Sequence, residues 1–203
     1  MSRYTGPRLK VMRALGVELP GLSRKSIENR PHPPGQHGAA NRRRSEYANQ
    51  LAEKQKIRFN YGLGEAQLRR LVVEAARAKA PTGDKLMELA ERRLDNVVFR
   101  AGFAPTGVAA RQLVRHGHVR VNGRRVNIPS LRVKPGDRIS LTERGLRIPL
   151  VVESLAEPAL TRPEWIDFDE LQRAATMTRV PAADEVPFPV DLKQVVEYYA
   201  NRL

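Results

Sequence analysis

A chain of 203 residues carries 36 Lys+Arg against 22 Asp+Glu, for a net charge of +14 and a sequence pI near 10.8. Its length suits one large domain or two modest ones, and an apolar content of 41% supplies a core and argues against wholesale disorder. It has no cysteine for disulfides or thiolate metal sites, no apolar run near the ~20 residues that cross a bilayer, and no apolar export signal in its opening "MSRYTGPRLK"; a cytoplasmic protein with no membrane partner is expected.

Residues 1–44 are punctuated throughout by Pro and Gly and read as irregular and extended. Within them, "RPHPPGQHGAANRRR" runs from Arg30 to Arg44. Pro31, Pro33 and Pro34 fix φ and reduce the freedom lost on docking. Gly35 and Gly38 permit close backbone approach to a ligand. Gln36, His37, Arg42, Arg43 and Arg44 supply donors. The ribbon reads as a preformed cationic tongue, with a flexible linker as the alternative.

"SEYANQLAEKQKIRFNYG" predicts a helix opening at Ser45 and closing at Gly62, a left-handed C′ position. "GEAQLRRLVVEAARAKAP" predicts a second, with Leu68, Leu71, Val72 and Ala75 on one stripe and Pro81 after its end. "TGDKLMELAERRLDNVVFRAG" predicts a third, starting near Thr82 or Asp84 and ending at Gly102. It places Leu86, Ala90, Leu94, Val97 and Ala101 at three- and four-residue steps. A short fourth, "TGVAARQLVRHG", runs from a Thr106 cap to Gly117.

The period then changes. "HVRVNGRRVNI" alternates, and Asn122-Gly123 is a favoured two-residue hairpin turn because both positions tolerate φ > 0. Pro135-Gly136 is the centre of a type II turn before an Ile139/Leu141 strand. "LRIPLVV" is a further strand candidate, with Pro149 suggesting an edge. "DLKQVVEYYANRL" reads as a closing helix. The resulting division is an extended basic segment over 1–44, a helical domain over 45–90 completed by a helix at about 190–203, a compact module over 91–152, and an acidic irregular tail over 153–189. The fold class is α+β: a helical domain plus a small module of two helices and a mostly antiparallel sheet.

Charge follows the same division. Residues 1–44 carry ten Lys+Arg against two acids, a net of +8; residues 91–152 carry thirteen against four, a net of +9. Residues 45–90 are nearly balanced, eight against six, and 153–203 are acidic, five against ten. Two cationic segments of this size point to a polyanionic partner. Arg92, Arg93, Arg111 and Arg115 are carried on helices, and Arg120, Arg124 and Arg125 surround the hairpin. They are expected to converge on one face, with some of them solvated or paired with acids. Arg93 is one candidate for pairing, and Asp95 is expected to orient a neighbouring Arg or a backbone amide.

The stretch "RRLDNVVFRAGFAPTGVAARQLVRHGHVRVNGRRVNIPSLRVKPGDRISL", residues 92–141, resembles the RNA-binding module named after small-subunit ribosomal protein S-four. Arg93-Leu94-Asp95, Gly102, Ala110-Arg111, Gly117-His118-Val119, Val121-Asn122-Gly123 and Gly136-Asp137 carry the likeness. The flanks "RYTGP", "RPHPPGQHG", "EKQKIRFNYG" and "VVEYYANR" extend it to essentially the whole chain, which is identified as a member of the small-subunit (30S) ribosomal protein S-four family. Many members of that family hold the amino-terminal region with a four-cysteine zinc site. Leu9 and Met12 stand at the first Cys-x-x-Cys positions here, so the chain resembles the zinc-free, cysteine-lacking bacterial type. Packing of Leu9, Val11 or Met12 would then supply the order. Gly107 stands where the family usually has a basic residue.

The resemblance implies a primary binder of 16S ribosomal RNA that nucleates assembly of the subunit body and contributes to translational accuracy. It also implies contact with ribosomal protein S-five and other small-subunit proteins, with messenger RNA as a further partner. Candidate RNA contacts in the flanks are Arg3, Tyr4, Arg8, Arg30 and Pro34, the glycines and polar groups of the tongue, and Lys54, Lys56 and Arg58. In the module, Gln112, His116 and Asn122 join the arginines. A-form RNA is recognised through shape, phosphates and 2′-hydroxyls, and Arg grips phosphate with a planar fork.

No catalytic constellation, cofactor site or metal site is expected. "DFDE" at Asp167–Glu170 reads as a solvated helix start, His116 and His118 lack a third ligand nearby, and "GLGEAQ" has neither the ending nor the preceding strand of a phosphate loop. Three alternatives stay open: an RNA-modifying enzyme carrying the same module, a heat-shock-type RNA-binding factor, and a helix-turn-helix DNA regulator built around Gly102–Thr106.

Overall fold

The computed structural model describes residues 4–38, 44–200 and 202. In chain order its elements are α1 Arg8–Leu15, α2 Glu46–Asn60, α3 Glu65–Ala76, α4 Thr82–Glu91, α5 Leu94–Arg100 and α6 Gly107–Arg115. β1 Val119–Val121, β2 Arg124–Val126 and β3 Arg138–Leu141 follow, then α7 Glu143–Leu146 and α8 Pro149–Ala156. β4 Ile166–Asp169, β5 Ala174–Met177 and α9 Leu192–Ala200 complete the α+β fold. The chain forms two compact units, one of Met1–Leu86 with Val186–Leu203 and one of Met87–Glu185.

In the first unit the Ser45 hydroxyl accepts from the Ala48 amide at 3.3 Å and caps α2. Ile57 of α2 and Leu68, Leu71, Val72 and Ala75 of α3 are buried. The closing helix α9 packs on α2 and α3, burying Val195, Tyr198 and Tyr199. Glu65 ties the three together: it accepts from Lys54 Nζ at 2.9 Å and from the Tyr199 hydroxyl at 2.8 Å. Burial works against the Glu65 carboxylate, yet these hydrogen bonds outweigh it and hold the carboxyl below its ordinary range. Burial and the Glu65 charge push the Tyr199 phenol upward.

The amino-terminal segment is not simply extended. Arg8–Leu15 forms α1, and Met12, Val17, Leu19 and Leu22 are buried. The chain after α1 lies against the end of α2, where the Gly21 amide donates to Asn60 Oδ1 at 2.9 Å. A Cβ at Gly21 would fall 2.2 Å from the Asn60 carbonyl oxygen, so only glycine allows that approach. Pro and Gly frequency concealed one short helix and a real apolar set. These residues are core, and removing residues 1–44 would strip the first unit of it.

In the second unit five strands pair antiparallel in the order β2-β1-β3-β5-β4. Asn122 (φ 50°) and Gly123 (φ 79°) turn the first hairpin as their sequence demands. Val119, Val121, Ile139, Leu141, Ile166, Ala175 and Met177 face α5 and α6, whose Leu94, Val97, Val98, Leu113 and Val114 complete the core with Trp165. Thr106 caps α6 by accepting from the Ala109 amide at 3.2 Å.

Four expectations are corrected here. The helix drawn over 82–101 breaks at Arg92-Arg93, because Arg93 is extended (ψ 136°) and bridges the Arg132 backbone. The Leu94 and Asp95 amides then donate to the carbonyls of Leu131 and Pro129, at 2.8 and 3.1 Å, which satisfies the first turn of α5. "LRIPLVV" is no strand: Pro149 occupies the first position of α8, where its missing N–H costs nothing. The 153–189 segment is no irregular tail, since it supplies β4, β5 and the fully buried Trp165. Asp167 and Asp169 lie in β4 rather than in a helix start, alternating with core-facing Ile166 and Phe168.

Trp165→Ala should therefore destabilise the fold by about 3–5 kcal/mol. Urea unfolding measures it; a substitution costing a few tenths would return the segment to tail status.

Candidate nucleic-acid interface

The carboxyl end of α6 meets the first hairpin at Gly117 (φ 71°), which turns the chain from His116 into β1. Arg125 of β2 reaches back to this corner. Its Nε donates to the Gly117 carbonyl at 2.7 Å and its Nη2 to the His116 carbonyl at 3.2 Å. A cation at a helix carboxyl terminus satisfies orphan carbonyls and opposes the negative end of the dipole. On the other side, the Thr142 amide donates to the His118 carbonyl at 2.8 Å, and Thr142 Oγ1 caps α7. Gly145 lets α7 sit close; a Cβ there would lie 3.1 Å from His118 Cβ.

Between these elements is an open cleft of about 540 Å³, lined by His116, Gly117, His118, Arg120, Arg125, Thr142 and Arg144. Three guanidiniums and two imidazoles face it and no carboxylate lines it. Partial burial, with Arg144, His116 and Arg125 nearby, holds the His118 imidazole below its ordinary range. Arg124, Arg115 and Gln112 are exposed. The cleft gathers cationic and neutral donors without an acidic neighbour in its lining.

Sequence reasoning placed His116, Arg120 and Arg125 in the candidate set and missed His118, Thr142 and Arg144. The "HGH" corner and the Thr142–Gly145 cap were the available signals. The arginines on the helices divide into exposed and acid-paired, with Arg93 paired and Asp95 orienting it as expected. Arg115 is exposed, but Arg93 is only 4% exposed and unavailable to an external anion. Its Nε and Nη2 donate to the two oxygens of Asp95 at 3.2 and 3.1 Å. Arg111 Nη1 reaches the same carboxylate at 3.2 Å, and the Asn96 amide adds a fourth bond at 3.1 Å. Burial pushes the Asp95 carboxyl upward while the two guanidiniums pull it down. Arg92 pairs with Glu88 at 2.7 Å and donates to the Val133 carbonyl. Asn122 is spent on the turn, donating to Asp137 and accepting from the Arg138 amide, each at 2.8 Å.

Of the candidates in the first unit, Arg3, Arg42 and Arg43 lie outside the described residues. Lys54 is only 4% exposed and paired with Glu65, so it is structural in this conformation. Lys56 is held by Glu53 at 2.6 Å, and Arg58 donates to Gln55. Tyr4 sets its ring edge-on to Phe59, with centroids 5.1 Å apart, and Arg8 donates to the Leu22 carbonyl. Arg30, Gln36 and His37 are exposed, and Pro34 is half-buried. The ribbon's described ends are held: Arg13 donates to the His32 carbonyl at 2.9 Å and Arg44 to that of Ala14 at 3.1 Å. A Cβ at Gly38 would fall 1.8 Å from the Pro33 carbonyl oxygen. Gly38 thus serves a close approach of the chain to itself, while Gly35 serves a φ of 112°.

Residues 92–139 match the family model described as "S4 domain", and residues 3–91 match "Ribosomal protein S4/S9 N-terminal domain". Small ribosomal subunit protein uS4 of Methylobacillus flagellatus is 66% identical over 205 residues, covering 100% of both chains. The chain belongs to the small ribosomal subunit protein uS4 family. Other uS4 relatives include uS4B of Nitrosomonas europaea, 60% identical, and uS4 of Synechococcus elongatus, 50% identical, both across 100% of each chain. The cleft and the Asp95 cluster of this uS4-family chain lie in its second unit, where the S4 domain match falls.

Asp95→Asn leaves the Arg93 guanidinium buried against a neutral amide. A loss of about 3–5 kcal/mol is expected in urea unfolding.

Proposed function

We propose that the chain is a structural protein of the small ribosomal subunit. It acts as a primary binder of 16S ribosomal RNA, nucleates assembly of the subunit body and contributes to translational accuracy. The observation that carries the RNA reading is the cleft beside β1, where Arg120, Arg125 and Arg144 converge with no carboxylate among the lining residues. Such a surface suits a sugar-phosphate backbone, which folded RNA presents outward. The full-length likeness to proteins named for the small ribosomal subunit supports the assembly that holds it.

Its role is binding rather than catalysis, exercised in the cytoplasm as part of the ribosome. The carboxylates of "DFDE" support that: Asp169 accepts from the Gln172 amide at 2.9 Å, and Glu170 pairs with Arg162 at 2.8 Å. They serve the β4–β5 turn. Among the described residues, no group of three or more His, Asp or Glu is placed to hold a metal ion, and no helix is long and apolar enough to cross a membrane. Protein contacts with S-five and other small-subunit proteins, and contact with messenger RNA, belong to the same reading.

The tests are electrostatic. Affinity for a 16S fragment should fall about 10³–10⁵-fold between 50 and 200 mM salt for about 6–10 phosphate contacts. Arg120→Ala and Arg144→Ala should each lower the slope of log affinity against log salt by about 1. A flat salt profile, or equal affinity for duplex DNA of the same length, would overturn the reading.

A further inference from the structure

We propose that the cleft beside β1 is a proton-linked phosphodiester site, in which His118 takes up a solvent proton as an RNA phosphate settles among Arg120, Arg125 and Arg144. This rests on the RNA reading above and adds what the site holds and how pH controls its occupancy.

Geometry selects the ligand. The volume of about 540 Å³ lies within the roughly 300–1,000 Å³ of small-ligand clefts, enough for a phosphate with part of its sugar. The carbonyl oxygens of His116 and Gly117, which would repel an anion, are already engaged by Arg125. Thr142 and Gly145 fix the far wall by holding α7 against His118. The wall therefore offers donors already in position, and its main acceptors are occupied.

Titration follows from the neighbours. His116 faces His118 from the end of α6, with ring centroids 6.3 Å apart. Arg125 faces it from β2, Arg144 from α7, and Arg120 lines the same cleft from β1. Beyond β3 the lining residue is the neutral Thr142, and Glu143 of α7 is not in the lining. Partial burial and the guanidiniums of Arg144 and Arg125 keep His118 neutral near pH 7. A phosphodiester brings a negative charge that offsets these cations and favours the imidazolium. Because the bound state holds the extra proton, affinity must rise as pH falls through the His118 titration.

The experiment measures affinity of the full chain for the 16S fragment at constant ionic strength between pH 8 and pH 5.5, beside His118→Gln. The wild type should gain about tenfold more than the variant, equivalent to an upward shift of about one pH unit in the His118 titration. The His118 ring signal in proton NMR should show that shift when RNA is added, a readout independent of any variant. Equal pH slopes, with a His118 titration unmoved by bound RNA, overturn the proton linkage alone. Failure of the wild type to bind the fragment at every pH overturns the RNA reading and this inference together.

Discussion

One buried carboxylate organises the second unit. Asp95 sits in the first turn of α5, where the chain has just left α4, and binds two guanidiniums and a backbone amide at once. Two cations on one buried anion would cost several kcal/mol of desolvation if any partner were missing. The arrangement therefore admits one geometry. The backbone amides of Leu94 and Asp95 hold the start of α5 against the 129–133 loop, and the carboxylate links α6 to α5 through Arg111. From α6 the chain reaches the His116–Gly117 corner, and the position of that corner sets the cleft. The cationic cleft thus sits at the end of a helix that the Asp95 cluster ties to α5.

Charge is sorted along the outer face of the sheet. Cross-strand pairing sets Arg120 opposite Arg125 and opposite Ser140, so the β1–β2 end is cationic. At the other end Asp167 and Asp169 stand opposite Thr176 and Ala174, and Arg138 bridges toward Asp169 at 3.9 Å. Asp167 and Asp169, two of the ten acids in residues 153–203, are kept at this far edge. They do not compete for the arginines of the cleft.

What the sequence revealed was what local chemistry decides. The Ser45 and Thr106 caps, the left-handed glycines at 62 and 117, the Asn122-Gly123 hairpin and the Pro135-Gly136 turn each follow from one or two residues. What stayed hidden depends on distant partners. The break at Arg93 is made by the backbone of Arg132, which no periodicity within 82–101 can signal. β4 was masked by the carboxylates of Asp167 and Asp169, and α8 by a proline that suits a strand edge as well as a first helical turn. The site divided the same way. His116, Arg120 and Arg125 stood out beside an obvious hairpin, whereas Arg144 lies on a four-residue helix that only the approach of Gly145 to His118 brings into place. Lys54 was over-read because composition counts a cation without its partner, Glu65.

The placement of α9 carries a consequence for synthesis. It follows the whole second unit in the chain, yet it packs on α2 and α3, and Tyr199 supplies one of the bonds that hold Glu65. Residues 87–185, by contrast, form one uninterrupted stretch of chain. On a growing polypeptide, where domains close as units during elongation, the later stretch can reach its native packing while the earlier one still waits for its final helix. The unit whose synthesis starts first is thus the one whose packing needs a helix made after the other unit.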